Sequence, residues 1–344
     1  MTYIMDKLED PTAASRKRDH IELAFQSQVE LSALDSRFYY EPMLAAHPPG
    51  GSWPAFSFLG KTLRIPMWVS SMTGGTQLAH TINHNLARAC REFGMGMGLG
   101  SCRSLLYSDD TLSDFDVRDL IGDDLPLYAN LGVAQIEQLN DRNDLHRIPE
   151  LVARLRADGL IIHVNPMQEW LQPEGDVLRF SPLDSIKQVL DFAQFPVIVK
   201  EVGQGFGPAS MRELLQLPLE AIDFAASGGT NFAMLELLRS DPANLEAYQA
   251  LAKIGHSAEE MAAFTNTLAG ELGPRLQCKQ IIISGGIKHF LDGYYLIEKI
   301  NLPAVYGQAS GFLKHARGSY EDLRRFVEGQ VRGLEVARTY LRVR

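Results

Sequence analysis

Residues 161–176, IIHVNPMQEWLQPEGD, open as a buried strand and change character within a few positions. Leu160, Ile161 and Ile162 form the short apolar run of a strand covered on both faces. Pro166 has no N–H to give a ladder, so a central strand must end before it. His163, Asn165, Gln168 and Glu169 therefore leave from the strand's end, where they can converge on a ligand. The same residues could equally cap a loop and solvate the surface. Other strand ends have to decide between the two readings.

Seven further segments of the same kind surround this one: residues 65–70, 95–99, 127–129, 197–199, 221–225, 280–283 and 304–306. The segments at 95–99 and 221–225 are weak, being rich in Gly, Met or Ala. Helical spacing of apolar residues follows in most cases, as over 78–93 and 183–192. Strand and helix in alternation call for a parallel sheet. Eight such units in 344 residues favour an α/β fold of the (β/α)8 TIM-barrel type over an open doubly wound sheet. The expected organisation is one domain over residues 1–344, with an N-terminal extension at 1–60 and an inserted helical connection at 239–278 after the sixth strand. An amphipathic helix is expected over 320–344, with Leu323, Phe326, Val327, Val331, Leu334, Ala337 and Leu341 on one stripe.

Composition narrows the partners. Lys and Arg number 33 against 42 Asp and Glu, for a formal net charge of −9, which disfavours general nucleic-acid binding. Hydrophobic residues at 45% and charged ones at 22% are ordinary globular usage. Cys90, Cys102 and Cys278 are odd in number and lack CxxC spacing, which points away from a disulfide framework or zinc site and towards a reducing cytoplasm. Residues 1–11 have no secretory h-region, and no apolar run reaches membrane-spanning length, so no membrane partner is expected. Arg16, Lys17 and Arg18 form a local basic run, either solvated or available to an anionic ligand.

The unusual residues follow the strands, on the face where barrel enzymes build their sites. Ser71, Met72, Thr73, Gly74 and Gly75 follow the first segment; Gly100, Ser101, Cys102 and Arg103 the second; Asn130 and Gly132 the third. Lys200, Glu201 and Gly203 follow the fifth, and Ser227, Gly228, Gly229, Thr230 and Asn231 the sixth. The last two end in Ser284, Gly285, Gly286 and in Gly307, Gln308, Ala309, Ser310. Glycines there let backbone N–H groups approach a phosphate, though tight turns alone would also use them. Lys200 either pairs with a neighbouring carboxylate or neutralises a buried anion such as a reduced flavin. Neither 94–100 nor 203–207 has GxGxxG spacing, so neither supports a Rossmann dinucleotide site.

These motifs, in this order, resemble those of the type 2 isopentenyl diphosphate isomerases, flavoenzymes built on a (β/α)8 barrel. The carriers are Arg16-Lys17 with His20, Ser71 to Gly75, Gly100-Ser101, Ala129-Asn130-Leu131-Gly132, the segment 163–176, Lys200-Glu201-Val202-Gly203, Gly228-Gly229-Thr230-Asn231-Phe232 and Ser284-Gly285-Gly286. The resemblance implies FMN held by Ser71, Met72, Thr73, Ser101, Asn130, Lys200, Thr230, Gly285, Gly286, Ile287, Gln308 and Ala309. It implies a diphosphate substrate held by Arg16, Lys17, Ser101, Arg103, His163, Asn165 and Gln168, with Glu169 on Mg²⁺. Gln168, His163 and Glu169 become the catalytic set, NADPH the reductant of FMN, and a homo-oligomer of four or more copies the assembly.

The implied reaction interconverts isopentenyl and dimethylallyl diphosphate by protonation and deprotonation. Two departures from the family pattern stand out: Cys102 where Gln is usual, and Ile254-Gly255-His256-Ser257 in place of a Trp-Gly-x-Pro signature. The rival readings are an FMN-dependent oxidoreductase of the 2-hydroxy acid oxidase type, and a flavin- or diphosphate-binding homologue without turnover. His289 and His315 lie near the last two strands but lack the oxidase signature.

Overall fold

The computed structural model describes residues 12–71 and 77–344. Twelve strands are named in chain order: β1 Phe38–Tyr40, β2 Phe56–Phe58, β3 Lys61–Leu63, β4 Met67–Val69, β5 Gly96–Gly98, β6 Leu127–Gly132, β7 Gly159–His163, β8 Val197–Lys200, β9 Ala221–Asp223, β10 Ile281–Ser284, β11 Ala304–Gln308 and β12 Leu341–Val343. β4 to β11 close into an eight-stranded barrel in sequence order, and every neighbouring pair is parallel. The (β/α)8 expectation holds in all eight positions, including the two weak segments.

The weak segments become strands because their neighbours need them. On β5, a Cβ added to Gly96 would sit 2.4 Å from the ring of Trp68, which fills the barrel interior on β4. Glycine is thus required where a large side chain crosses. Around the barrel, Ile82, Leu86, Ala89 and Cys90 form the buried face of helix Gln77–Phe93. Each large apolar side chain of this kind contributes about 1.5–3 kcal/mol by leaving water.

The hairpin β2–β3 shuts the amino-terminal end of the barrel. Phe58 and Leu63 are buried, Leu59 N donates to Gln280 Oε1 at 2.8 Å, and Lys61 Nζ donates to the Asp123 carbonyl at 2.7 Å. Helix Ala13–Leu23, by contrast, buries no residue.

The C-terminal helix runs Tyr320–Tyr340 and is capped by Ser319, whose side chain accepts from Asp322 N. Leu323, Val327, Leu334 and Ala337 are buried as its stripe demands. The stripe does not reach Leu341. That residue opens β12, which pairs antiparallel with β1 through Phe38↔Val343 and Tyr40↔Leu341. A β-branched and basic tail meeting an unpaired aromatic strand gains ladder hydrogen bonds that another helical turn would not.

After β9 come helices Phe232–Arg239, Pro242–Ala252 and Ala258–Leu272. The first two pack with helix Pro166–Leu171, which follows β7, around buried Leu171, Ala233, Leu237 and Ala252. This satellite cluster stands above the barrel mouth and positions side chains from two distant loops. Among the described residues, no helix is long and apolar enough to cross a membrane.

Candidate active site at the carboxyl mouth of the barrel

The strand ends enclose a cavity of about 450 Å³. Ser71, Ser101, Asn130, His163, Gln168, Lys200 and Thr230 line it, as do Gly285, Gly286, Ile287, Gln308 and Ala309. Polar exits from eight strands thus meet in one place.

Two walls can be distinguished. On one, Asn130 Nδ2 donates to the Leu99 carbonyl at 3.0 Å, which turns Asn130 Oδ1 towards His163 Nδ1 at 2.8 Å. Since Oδ1 can only accept, Nδ1 carries the proton and Nε2 is left as an acceptor in the neutral ring. Burial, then the nearby Lys200 ammonium, pushes the imidazole down to about 4, so the ring is uncharged at neutral pH. Lys200 itself is paired with Asp223 at 3.5 Å.

On the other wall lie the groups of helix Pro166–Leu171. Asn165 Nδ2 donates to Gln168 Oε1 at 3.2 Å and to Glu169 Oε1 at 2.9 Å, and Glu169 Oε2 accepts from Asp176 N at 2.8 Å. Gln168 Nε2 reaches Glu236 Oε1 at 3.3 Å. Glu236 is buried on helix Phe232–Arg239 and ion-paired with Arg239 one turn on. Both carboxylates are held in place, one by an amide and a backbone N–H, the other by a guanidinium.

The floor of the remaining side is made by backbone. Gly285 and Gly286 have φ of +91° and +72°, and a Cβ on Gly285 would fall 2.0 Å from the Ala226 carbonyl oxygen. Only glycine allows that approach. Ser70 Oγ, Ser71 Oγ and Gln308 Oε1 face this region buried and, among the described residues, without a hydrogen-bond partner. Orphaned polar atoms around a glycine cradle, with Lys200 and Lys288 on the walls, fit a polar, anionic ligand.

No family model matches the chain. Relatives of known name do match it. The isopentenyl-diphosphate delta-isomerase of Rickettsia felis is 34% identical over 307 residues, covering 88% of this chain and 85% of the relative. That of Rickettsia peacockii is 35% identical over 322 residues, covering 91% and 90%. The chain belongs to the isopentenyl-diphosphate delta-isomerase family. Outside this isomerase family, solved structures of low identity share the barrel. A flavocytochrome b2 variant with benzoylformate superposes with TM-score 0.59 at 12% identity, over 94% of this chain and 81% of that one. A mandelate oxidase variant with (S)-mandelic acid gives 0.52 at 14%, over 90% and 87%. Another, with an FMN adduct, gives 0.50 at 14%, over 90% and 88%. At such identities the likeness shows the fold.

Of the expected site residues that are described, several do not line the cavity. Met72 and Thr73 lie outside the described residues. Arg16 and Lys17 sit exposed on helix Ala13–Leu23, which buries no residue, and do not line the cavity. Arg103 is exposed and turned to Asp176 at 3.4 Å. Asn165 and Glu169 are buried just behind Gln168.

The two departures have structural consequences. Cys102 is fully buried, with Sγ directed to the Gly100 carbonyl at 3.3 Å and its thiol pushed up to about 12 by burial. It therefore faces the core. The 254–257 segment braces two strand-end loops instead of lining the site: His256 N donates to Gln204 O and Ser227 N to His256 O, both at 2.8 Å. Glu236, Asp223 and Lys288 escaped sequence reading. Glu236 was hidden in a helix where an acidic residue ordinarily faces solvent, and only the Asn231 cap ahead of it marked the helix start.

Proposed function

We propose that the chain is a type 2, FMN-dependent isopentenyl-diphosphate isomerase that interconverts isopentenyl and dimethylallyl diphosphate with reduced FMN and Mg²⁺. The observation that carries this reading is the pairing of a glycine cradle and Lys200 on one side of the cavity with Gln168 on the other, backed by buried Glu236 and, through Asn165, by Glu169. One side suits a flavin phosphate and ring; the other suits a small diphosphate and its proton traffic. FMN bound in the mandelate oxidase relative of the same fold supports the first assignment.

The reaction adds a proton to the terminal alkene carbon and removes one from the adjacent methylene. No carbonyl acidifies either position, so the site must supply a well-placed acid and a dry, electron-rich surface. When bound, reduced FMN supplies that surface and an exchangeable proton at N5. The protein's own groups orient and enclose. Lys200 would offset negative charge on the reduced flavin, and the Gly285-Gly286 turn, with Ile287, Gln308 and Ala309, would hold its phosphate. Ser71, Ser101, Asn130 and Thr230 complete the polar contacts.

His163, neutral and fixed by Asn130, presents an acceptor nitrogen without adding charge beside the diphosphate. Gln168 orients the substrate, and its Nε2 donates to Glu236, a buried carboxylate that fixes the amide's orientation. Glu169 would ligate Mg²⁺ whose remaining positions belong to phosphate oxygens and water, the usual arrangement for this ion. Arg103, Arg16 and Lys17 supply diphosphate contacts once drawn to the mouth, and NADPH serves to reduce FMN. The oxidase reading has less support, because neither His289 nor His315 lines the cavity.

The deciding experiment is anaerobic conversion of isopentenyl diphosphate by the protein reconstituted with reduced FMN and Mg²⁺. Dimethylallyl diphosphate should accumulate to equilibrium. A protein that takes up no FMN, or one that oxidises a 2-hydroxy acid and leaves the alkene untouched, would overturn the proposal.

A further inference from the structure

His163, Lys200 and Asp223 lie side by side across β7, β8 and β9, in register at the last rung of each strand. Asp223 is wholly inaccessible and does not line the cavity, so it cannot touch a ligand there. Its Oδ1 accepts the Ser284 hydroxyl, whose oxygen in turn accepts the Ala225 N–H at 3.0 Å. Its Oδ2 has no hydrogen bond among the described residues and faces Lys200 Nζ at 3.5 Å. A carboxylate this deep is costly unless a cation balances it. Lys200, in contrast, lines the cavity. The carboxylate can therefore influence the site only through the ammonium it holds.

We propose that Asp223 is a positioning residue that holds the Lys200 ammonium at the cavity wall and offsets part of its charge, thereby setting how strongly the site prefers reduced, anionic flavin over the oxidised form. This rests on the FMN reading above. A bare buried cation would favour the anion strongly; one shared with Asp223 favours it less, because part of the field is already cancelled. The Ser284 hydroxyl keeps Oδ1 occupied, so that Oδ2 is the oxygen left to face Lys200.

The test compares Kd for oxidised and reduced FMN in the full chain and its variants, under anaerobic conditions and without substrate. Asp223→Asn removes the charge but not the shape, and should raise the ratio of oxidised to reduced Kd by about tenfold, equivalent to about 30 mV for a two-electron couple. Lys200→Met should lower it by a similar factor. Asp223→Ser gives the same charge change should the Asn variant not fold. A second measurement needs no flavin. Thermal melts of Lys200→Met, Asp223→Asn and the double variant should show that the second substitution restores Tm lost to the first, since it removes the orphaned charge.

A ratio unchanged by Asp223→Asn, alongside one lowered by Lys200→Met, would overturn this inference and leave the flavin reading standing. Strictly additive losses of Tm in the double variant would overturn it as well. Failure of the unaltered chain to bind FMN would remove the parent reading and this one together.

Discussion

His163 Nδ1 lies 2.8 Å from Asn130 Oδ1, and Asn130 is itself fixed by its donation to the Leu99 carbonyl. Two hydrogen bonds of one side-chain amide, from β5's end through β6 to β7, thus select the tautomer of one imidazole. The ring stays neutral because burial and Lys200 both oppose its charging.

The pH dependence of stability follows from that ring. The imidazole's pKa drops from an ordinary 6.5 to about 4, so the unfolded chain takes up the proton first. Stability should hold above the unfolded value, decline as pH falls from 6.5 towards 4, and level off below, where both states are protonated. Urea titrations of the unaltered chain and of His163→Asn across that window provide the check. The variant should lack this part of the decline, and parallel curves would contradict the assignment.

Substrate chemistry should depend on the contact between Gln168 and Glu236. Gln168→Ala and Glu236→Gln are each expected to cut turnover by about 10²-fold or more, within the range for groups that place or carry a proton. Neither side chain belongs to the glycine cradle, so FMN affinity should stay within about twofold by fluorescence titration. Loss of flavin in step with activity would show that these residues support the fold instead.

Glu169 should separate metal from cofactor. Glu169→Gln keeps an oxygen for only one of its two donors, the Asp176 N–H or Asn165 Nδ2, and removes the charge that Mg²⁺ requires. The Mg²⁺ concentration needed for half-maximal turnover should rise by about tenfold or more, with the melting temperature lowered only by the loss of the other hydrogen bond. An unaltered Mg²⁺ requirement would place the metal elsewhere.

The cradle itself is tested by Gly285→Ala. The backbone there has φ +91°, and the new methyl would meet the Ala226 carbonyl oxygen at 2.0 Å. A cost of about 1–3 kcal/mol in stability is expected from the backbone alone, with FMN affinity reduced further. Denaturant midpoints and FMN titration report the two effects separately. A variant as stable as the parent would mean that the turn relaxes freely.

Much of the architecture is local and could be read residue by residue. The runs VIVK on β8 and IIIS on β10 announce buried parallel strands, and the helix over Gln77–Phe93 shows in its apolar spacing. β5 and β9 were harder, because GMG and AID have little strand propensity of their own. They become strands through neighbours, as Gly96 does by admitting Trp68. The C-terminal helix stops short of its apolar stripe for a similar reason. Leu341 continues the helical stripe in sequence, yet β1, some three hundred residues earlier, offers it a ladder.

For the site, the sequence alone determined which residues leave the strand ends, because period-two burial, proline and glycine act over a few residues. It also carried the family, through motifs whose order spans most of the chain. What those residues meet was decided only in three dimensions. Barrel register sets Lys200 beside both His163 and Asp223, and the satellite helices bring Glu236 to Gln168 across 68 positions. The same packing turns Cys102 into the core and leaves Arg16 and Lys17 on a helix with no buried face. Pairings between charges far apart in the chain depend on closure of the whole barrel, and no local pattern encodes them.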